Sequence, residues 1–244
     1  MQEKEMSVIE HLDELRNRII KVIVAFLFFL GIGLYFTKDI YAFLVKDLHR
    51  PLLALGPSDV FWLYFAIAGV FAIACSIPFI SYQIWSFVKP ALDENEQRTT
   101  LLYIPAIFIL FICGMAFGYF IIFPNVLHFL TVMSKGLVEI NFTAERYFSF
   151  LFNLVLPMAL FFDLPILIIF LTRIGVLTPM FMRKMRRYAY FILVIIASMI
   201  SPPEFISHIM TSIPLILIYE CSIFVSSFTY KKKIKREQMN MSGN

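Results

Sequence analysis

Residues 101–134 read LLYIPAIFILFICGMAFGYFIIFPNVLHFLTVMS. Across these 34 positions there is no Asp, Glu, Lys or Arg, and a single histidine, His128. A helix at the surface of a soluble protein keeps a polar stripe for water, and this stretch has none. It also exceeds the roughly 20 apolar residues that cross a hydrocarbon core. Lipid is therefore the solvent it is built for. The rest of the chain agrees: 60% of the 244 residues are apolar and 16% charged, with a mean hydropathy of +0.80. A soluble domain sits near half apolar and a quarter charged.

Working outward, the pattern predicts an all-α polytopic membrane protein with six transmembrane helices. The spans fall at about Ile19–Phe36, within Val60–Val88, from Leu101 to near Phe123-Pro124, at Tyr147–Thr172, Tyr188–Ser201 and Phe205–Tyr219. Past Pro124 the third segment is expected to turn back along the outer surface. Pro78 predicts a kink in the second span. The last two runs are short. Fourteen residues precede Pro202-Pro203, about 21 Å of helix against a core of roughly 30 Å. They predict a hairpin with almost no loop that requires local thinning of the bilayer. Residues 1–18 form an amphipathic segment, with Ser7 and Glu10 as a capping box and Ile9, Leu12, Leu15, Ile19 and Ile20 at helical spacing. Residues 19–230 form a single membrane domain and 231–244 a basic tail, disordered from residue 237. Thr178-Pro179 reads as a helix start, with Thr as the cap and Pro at the first position.

Orientation follows from the basic residues. With both termini cytoplasmic, sixteen of the 21 Lys and Arg fall on the inner side, among them Lys4, Arg16, Arg18, Lys89, Arg173, Arg183 and the Lys231–Arg236 cluster. That is a positive-inside bias. These residues flank apolar runs without stacking aromatics, so nucleic-acid binding is set aside. Cys75, Cys113 and Cys221 lie inside apolar runs, far apart in sequence, and read as small buried hydrophobes, not as metal ligands. The acidic residues of the first 18 positions do not fit the basic start of a cleavable signal. No internal repeat of the kind that builds many transporters is evident.

Several acidic residues need a reason. Asp13 and Glu14 stand before the first span and Glu96 in the first inner connection, amid otherwise basic segments. Glu14 could simply form an i,i+4 pair with Arg18, and Glu96 could be a solvated charge near Arg98. Asp163 is mid-span between Phe162 and Leu164, where a carboxylate is costly and is either paired internally or functional. His208 reads as a packed side chain on the last helix. Glu220 is placed near the inner interface, where the following lysines are candidate partners.

The stretch His11-Leu-Asp-Glu-Leu-Arg16 with Arg18, the stretch Phe87-Val-Lys-Pro90-Ala-Leu92 with Glu96, Gly118-Tyr119-Phe120 with Phe123-Pro124, and Ser201-Pro202-Pro203-Glu204 together resemble the TatC family over essentially the whole chain. That family is the multi-span receptor of the twin-arginine protein translocase. The resemblance implies a signal-peptide site at Glu14 and Glu96, shaped by Arg16, Phe87 and Pro90. Two adjacent guanidinium groups ask for two carboxylates in forked geometry. It also implies docking of small single-span partners of TatA or TatB type near Asp163, Glu204 and His208. Asp163 stands where the family usually has Glu, and Glu204 where it often has Asp. Self-association in a receptor complex in the cytoplasmic membrane, driven by the proton gradient without a cofactor, completes the expectation. The alternative from the residues themselves is a proton- or ion-coupled small-solute transporter using Asp163 and His208 as a relay. An intramembrane enzyme is disfavoured by the absence of a His-Glu-x-x-His or Gly-x-Ser-x-Gly pattern.

Overall fold

The computed structural model describes residues 8–46, 48, 52–89, 97, 100–134, 142–202 and 204–242, with side chains between Leu12 and Ile234. Every regular element among the described residues is a helix. Five are long and apolar enough to cross a membrane: Leu12–Val45, Pro57–Val88, Tyr103–Ser134, Ala144–Arg173 and Phe205–Ile234. With one shorter apolar helix they make six crossings. The chain divides into two compact units, Met1–Phe108 and Ile109–Asn244.

In the first unit, α1 (Val8–Val45) and α2 (Pro57–Val88) pack together. From Val8 onward the segment before the first span continues into it as one helix; Ser7, expected as its cap, lies outside the described residues. Gly33 sets the closeness of the pair: a Cβ there would sit 2.8 Å from the Ala68 carbonyl oxygen, and Ala68 is fully buried. Elsewhere α1 presents Val24, Leu27 and Phe28 outward, with more than half of each exposed. In water that stripe would be a fault; in lipid it is the solvated face. Pro57 begins α2 behind an extended Gly56, where the missing proline N–H deprives no carbonyl. The Asp59 carboxylate accepts the Leu55 N–H at 2.7 Å.

The third crossing differs from its sequence expectation. Helix α3 (Tyr103–Phe117), a π-helical turn (Gly118–Ile122) and α4 (Phe123–Ser134) form one continuous element. The chain does not turn back at Pro124. The π turn supplies the reason: the Phe123 N–H donates to the Gly118 carbonyl, opening the helix just ahead of the proline. Ring and missing N–H are thereby accommodated. The side-chain amide of Asn125 donates to the Ile121 carbonyl at 2.6 Å, so a backbone acceptor is satisfied where water is scarce.

In the second unit this element crosses α5 (Ala144–Phe162) at glycines. A Cβ on Gly114 would lie 2.7 Å from Ala159 Cα, and one on Gly118 would lie 3.1 Å from Val155 Cα. Two glycines four residues apart put two backbones in contact, the small-xxx-small arrangement of membrane helices. Around them Phe148, Leu151, Leu154, Met158 and Ala159 are buried. The ring of Phe117 meets Phe162 with centroids 5.2 Å apart.

The fourth crossing breaks at Asp163 and resumes as α6 (Leu164–Arg173). Pro165 lacks the N–H that would reach back to Phe161, and its ring crowds that turn. Helix α6 ends on Gly175, whose φ of +86° permits the left-handed turn. There the Val176 N–H returns to the Leu171 carbonyl at 3.0 Å. Thr178 caps α7 (Pro179–Lys184), its hydroxyl accepting the Phe181 N–H at 3.3 Å, as the Thr-Pro pair predicts.

Helix α8 (Arg186–Ile200) has 15 residues, about 22 Å, so the fifth crossing is as short as the sequence indicates. The sixth does not stop with its apolar run. Helix α9 (Phe205–Ser242) continues for 38 residues through Glu220 and the basic cluster, where disorder is expected from residue 237. Lys, Gln, Glu and Met favour helix, and no breaker interrupts them. Cys113 and Cys221 are exposed and Cys75 is half-buried. They face outward more than the expectation of buried hydrophobes allows.

Candidate functional site

Glu14, one of the two carboxylates that the family resemblance assigns to a signal-peptide site, lies near the start of α1 and is held by Arg18 one turn on. Arg18 Nε donates to Glu14 Oε1 at 3.0 Å, and Nη2 donates to the same oxygen. The guanidinium also reaches α2: Nη1 lies 3.2 Å from Gln83 Oε1 and 3.4 Å from the Gln83 carbonyl, and Nη2 lies 3.1 Å from the Ser86 carbonyl. The sequence accounts for the last of these. The helical partner of the Ser86 carbonyl would be the N–H of residue 90, and residue 90 is proline. An acceptor orphaned by Pro90 is thus filled by a side chain of the neighbouring helix. Of the two expectations for Glu14, the i,i+4 pair with Arg18 is present, and Arg18 carries it to the end of α2.

The other predicted site residues fall unevenly. Arg16 pairs with Asp13 at 3.3 Å, both largely exposed. Phe87 lies half-buried in the last turn of α2. Pro90 and Glu96 lie outside the described residues. Beside the site, the Trp85 indole N–H donates to the Thr100 hydroxyl at 2.9 Å, and the Lys89 ammonium stands 5.5 Å from the Trp85 ring centroid. The carbonyl-rich end of α2 also favours positive charge.

The intramembrane residues lie in the second unit. Asp163 occupies the break between α5 and α6, with its carbonyl accepting the N–H groups of Ile166 and Leu167, each at 3.1 Å. Its Oδ1 is buried and takes no hydrogen bond among the described residues. Glu204 precedes α9 and accepts the His208 N–H on its carbonyl at 3.1 Å; its Oε2 is likewise buried without a partner. His208 Nδ1 is 2.7 Å from the Ser201 hydroxyl, which ties the end of α8 to the start of α9. Among the described residues no hydrogen bond joins Asp163 to His208, so the direct relay of the transporter reading is not assembled there.

Three contacts escape sequence reasoning. Glu220 pairs with Arg186 at 2.6 Å and with the Tyr190 hydroxyl, so its partners come from α8 and not from the lysines that follow it. Thr172 and Ser226 share a buried hydrogen bond at 2.8 Å between α6 and α9. Lys233 Nζ donates to the Arg173 carbonyl at 2.7 Å, placing a cation at the negative end of α6. Only the third had a sequence signal, a basic cluster that could reach a helix C-terminus.

Six apolar helical crossings, a charged network at the junction of the first two, and a carboxylate at a helix break define a polytopic helical membrane protein. Comparison with known proteins makes this specific. The family described as Sec-independent protein translocase protein (TatC) matches residues 10–214. The protein TatCd of Bacillus subtilis strain 168 is 47% identical over 97% of this chain and 98% of its own. TatC of Halalkalibacterium halodurans is 41% identical over 98% and 96%. A crystal structure of the twin-arginine translocase receptor TatC superposes with a TM-score of 0.80 at 32% identity, covering 90% of this chain and 99% of that one. The chain belongs to the TatC family of Sec-independent protein translocase proteins.

Proposed function

We propose that this chain is the twin-arginine signal-peptide receptor and core subunit of a Sec-independent translocase that exports folded proteins across the cytoplasmic membrane. Both termini lie in the cytoplasm on this reading, in keeping with the basic bias of the segments assigned there. The observation that carries it is the Glu14 carboxylate, held by Arg18 against the carbonyl-rich end of α2. A carboxylate whose second oxygen receives no bond from its intramolecular partner is suited to accept an arriving guanidinium.

Glu14 and Glu96 are assigned to the two arginines of the signal peptide, and Arg16, Phe87 and Pro90 to the walls of the site. The apolar part of the signal then lies along the spans. Small single-span partners of TatA type, with or without a TatB type, dock where Asp163 breaks the fourth crossing and where the short α8 thins the membrane. Asp163 Oδ1 and Glu204 Oε2 are buried acceptors without a donor among the described residues, which a partner's polar group could supply. Exchange of Glu14 and Glu96 together for Gln is expected to abolish site-specific cross-linking to a precursor bearing paired arginines. Cross-linking at wild-type strength would overturn the assignment.

A further inference from the structure

The geometry points to Arg18 as a built-in occupant of the Glu14 carboxylate, which an incoming arginine exchanges for and a lysine does not, so that Arg18 sets the selectivity of the site. The inference rests on the reading of Glu14 as a signal-peptide ligand.

All five N–H directions of the Arg18 guanidinium are accounted for by Glu14 Oε1 (twice), Gln83 Oε1, the Gln83 carbonyl and the Ser86 carbonyl. Both side chains of the ion pair are largely withdrawn, with relative exposures of 17% for Arg18 and 26% for Glu14. Any cation that reaches Glu14 therefore meets a carboxylate already engaged. The arrangement is nonetheless built to let go. When Glu14 leaves, Arg18 keeps three acceptors on α2, so its charge is not stranded. Both bonds from Arg18 fall on Oε1, and neither falls on Oε2. An arriving group can engage Oε2 before Arg18 releases Oε1.

What arrives must match what departs. A guanidinium presents two parallel N–H groups to a carboxylate and replaces the pair of bonds that Arg18 gives up. An ammonium is a compact, strongly hydrated point charge with no fork. It recovers less on Glu14 and pays more to shed water. Arginine-for-arginine exchange is nearly balanced, whereas lysine-for-arginine exchange is not. The resident side chain acts as a competitor that the correct ligand alone matches, specificity by raising the threshold for the wrong partner.

The test uses the full chain in phospholipid nanodiscs and two fluorescent signal peptides, one with paired arginines and one with paired lysines. Wild type is expected to prefer the arginine peptide. Arg18→Gln should tighten both and the lysine peptide more, reducing the preference about tenfold, the equivalent of one charge-assisted hydrogen bond. Arg18→Lys, which keeps a cation able to reach the Ser86 carbonyl, should reduce it less, and serves if the Gln variant does not fold. An unchanged preference in the variant that folds, or equal weakening of both peptides, would overturn the proposal, since a merely structural Arg18 predicts equal weakening. Glu14→Gln separates the two levels. If it binds the arginine peptide as wild type does, the reading of Glu14 fails and this inference with it. If it loses binding while the Arg18 variants keep the preference, the inference alone falls.

Discussion

Replacing Gly114 by Ala adds one methyl group where the third crossing meets α5, at the described glycine of the second unit with the least room for a Cβ. The added carbon would stand 2.7 Å from Ala159 Cα, 2.8 Å from Phe162 Cβ and 2.9 Å from Phe162 Cγ. Ordinary contact begins near 3.4 Å, so the nearest approach is short by 0.7 Å. The nearest atom belongs to the backbone of α5, and a change of rotamer cannot move it. The two helices must separate, and the buried contacts around Phe148, Leu151 and Met158 loosen with them. Overpacking of this kind costs about 1–3 kcal/mol, and a backbone obstacle places G114A at the upper end. The expected fall in Tm for the purified protein is roughly 5–10 °C. Gly31→Ala is the control, because a Cβ at Gly31 meets nothing within 4 Å. Glycine is the poorer helix former, so G31A should be neutral or slightly stabilising. Differential scanning fluorimetry in detergent reads both. A Tm for G114A within 1 °C of G31A, on the order of the loss of a weak surface contact, would refute the close-crossing argument. Since Phe162 directly precedes Asp163, G114A should also weaken cross-links between the Asp163 region and single-span partners.

The buried hydroxyl pair makes a sharper thermodynamic statement. Thr172→Val should destabilise by about 1–3 kcal/mol by orphaning Ser226, while Thr172→Val combined with Ser226→Ala should cost less than the two single changes summed; thermal unfolding of all three decides it. Glu220→Gln breaks the Arg186 pair, whose side chains are 43% and 33% exposed. Its cost should be about 1 kcal/mol or less, and Arg186→Gln on top should add little by the same measurement.

Much of this architecture was legible in the chain. Segments free of Asp, Glu, Lys and Arg could belong only to lipid, and Pro202-Pro203 could only end a short helix. Thr178-Pro179 marked a cap because its chemistry is local. The errors share a cause. A proline such as Pro124 suggests a helix end, yet the π turn that closes at Ile122 absorbs it, and hydropathy does not report helical register. Glu220 was read as the end of the sixth span because an isolated carboxylate ends an apolar run. Arg186 and Tyr190, contributed by another helix 34 and 30 residues earlier, let the helix pass through. The two glycines of the third crossing, Gly114 and Gly118, carry a Gly-x-x-x-Gly signal legible in the sequence.

The site divides along the same line. Glu14 and Arg18 were visible as an i,i+4 pair because helical geometry alone puts them on one face. That Arg18 also reaches Gln83 and Ser86 depends on how α1 lies against α2, which Gly33 and Ala68 set by allowing the two backbones to touch. Sequence determined the solvent, the number of crossings and the family, since these follow from composition, length and local pattern. Tertiary structure alone decided which donors fill which acceptors: Arg18 on the Ser86 carbonyl, Arg186 on Glu220, Lys233 on the Arg173 carbonyl. Where water is scarce a polar group needs its partner within the protein, and in these three cases the partner lies on another helix.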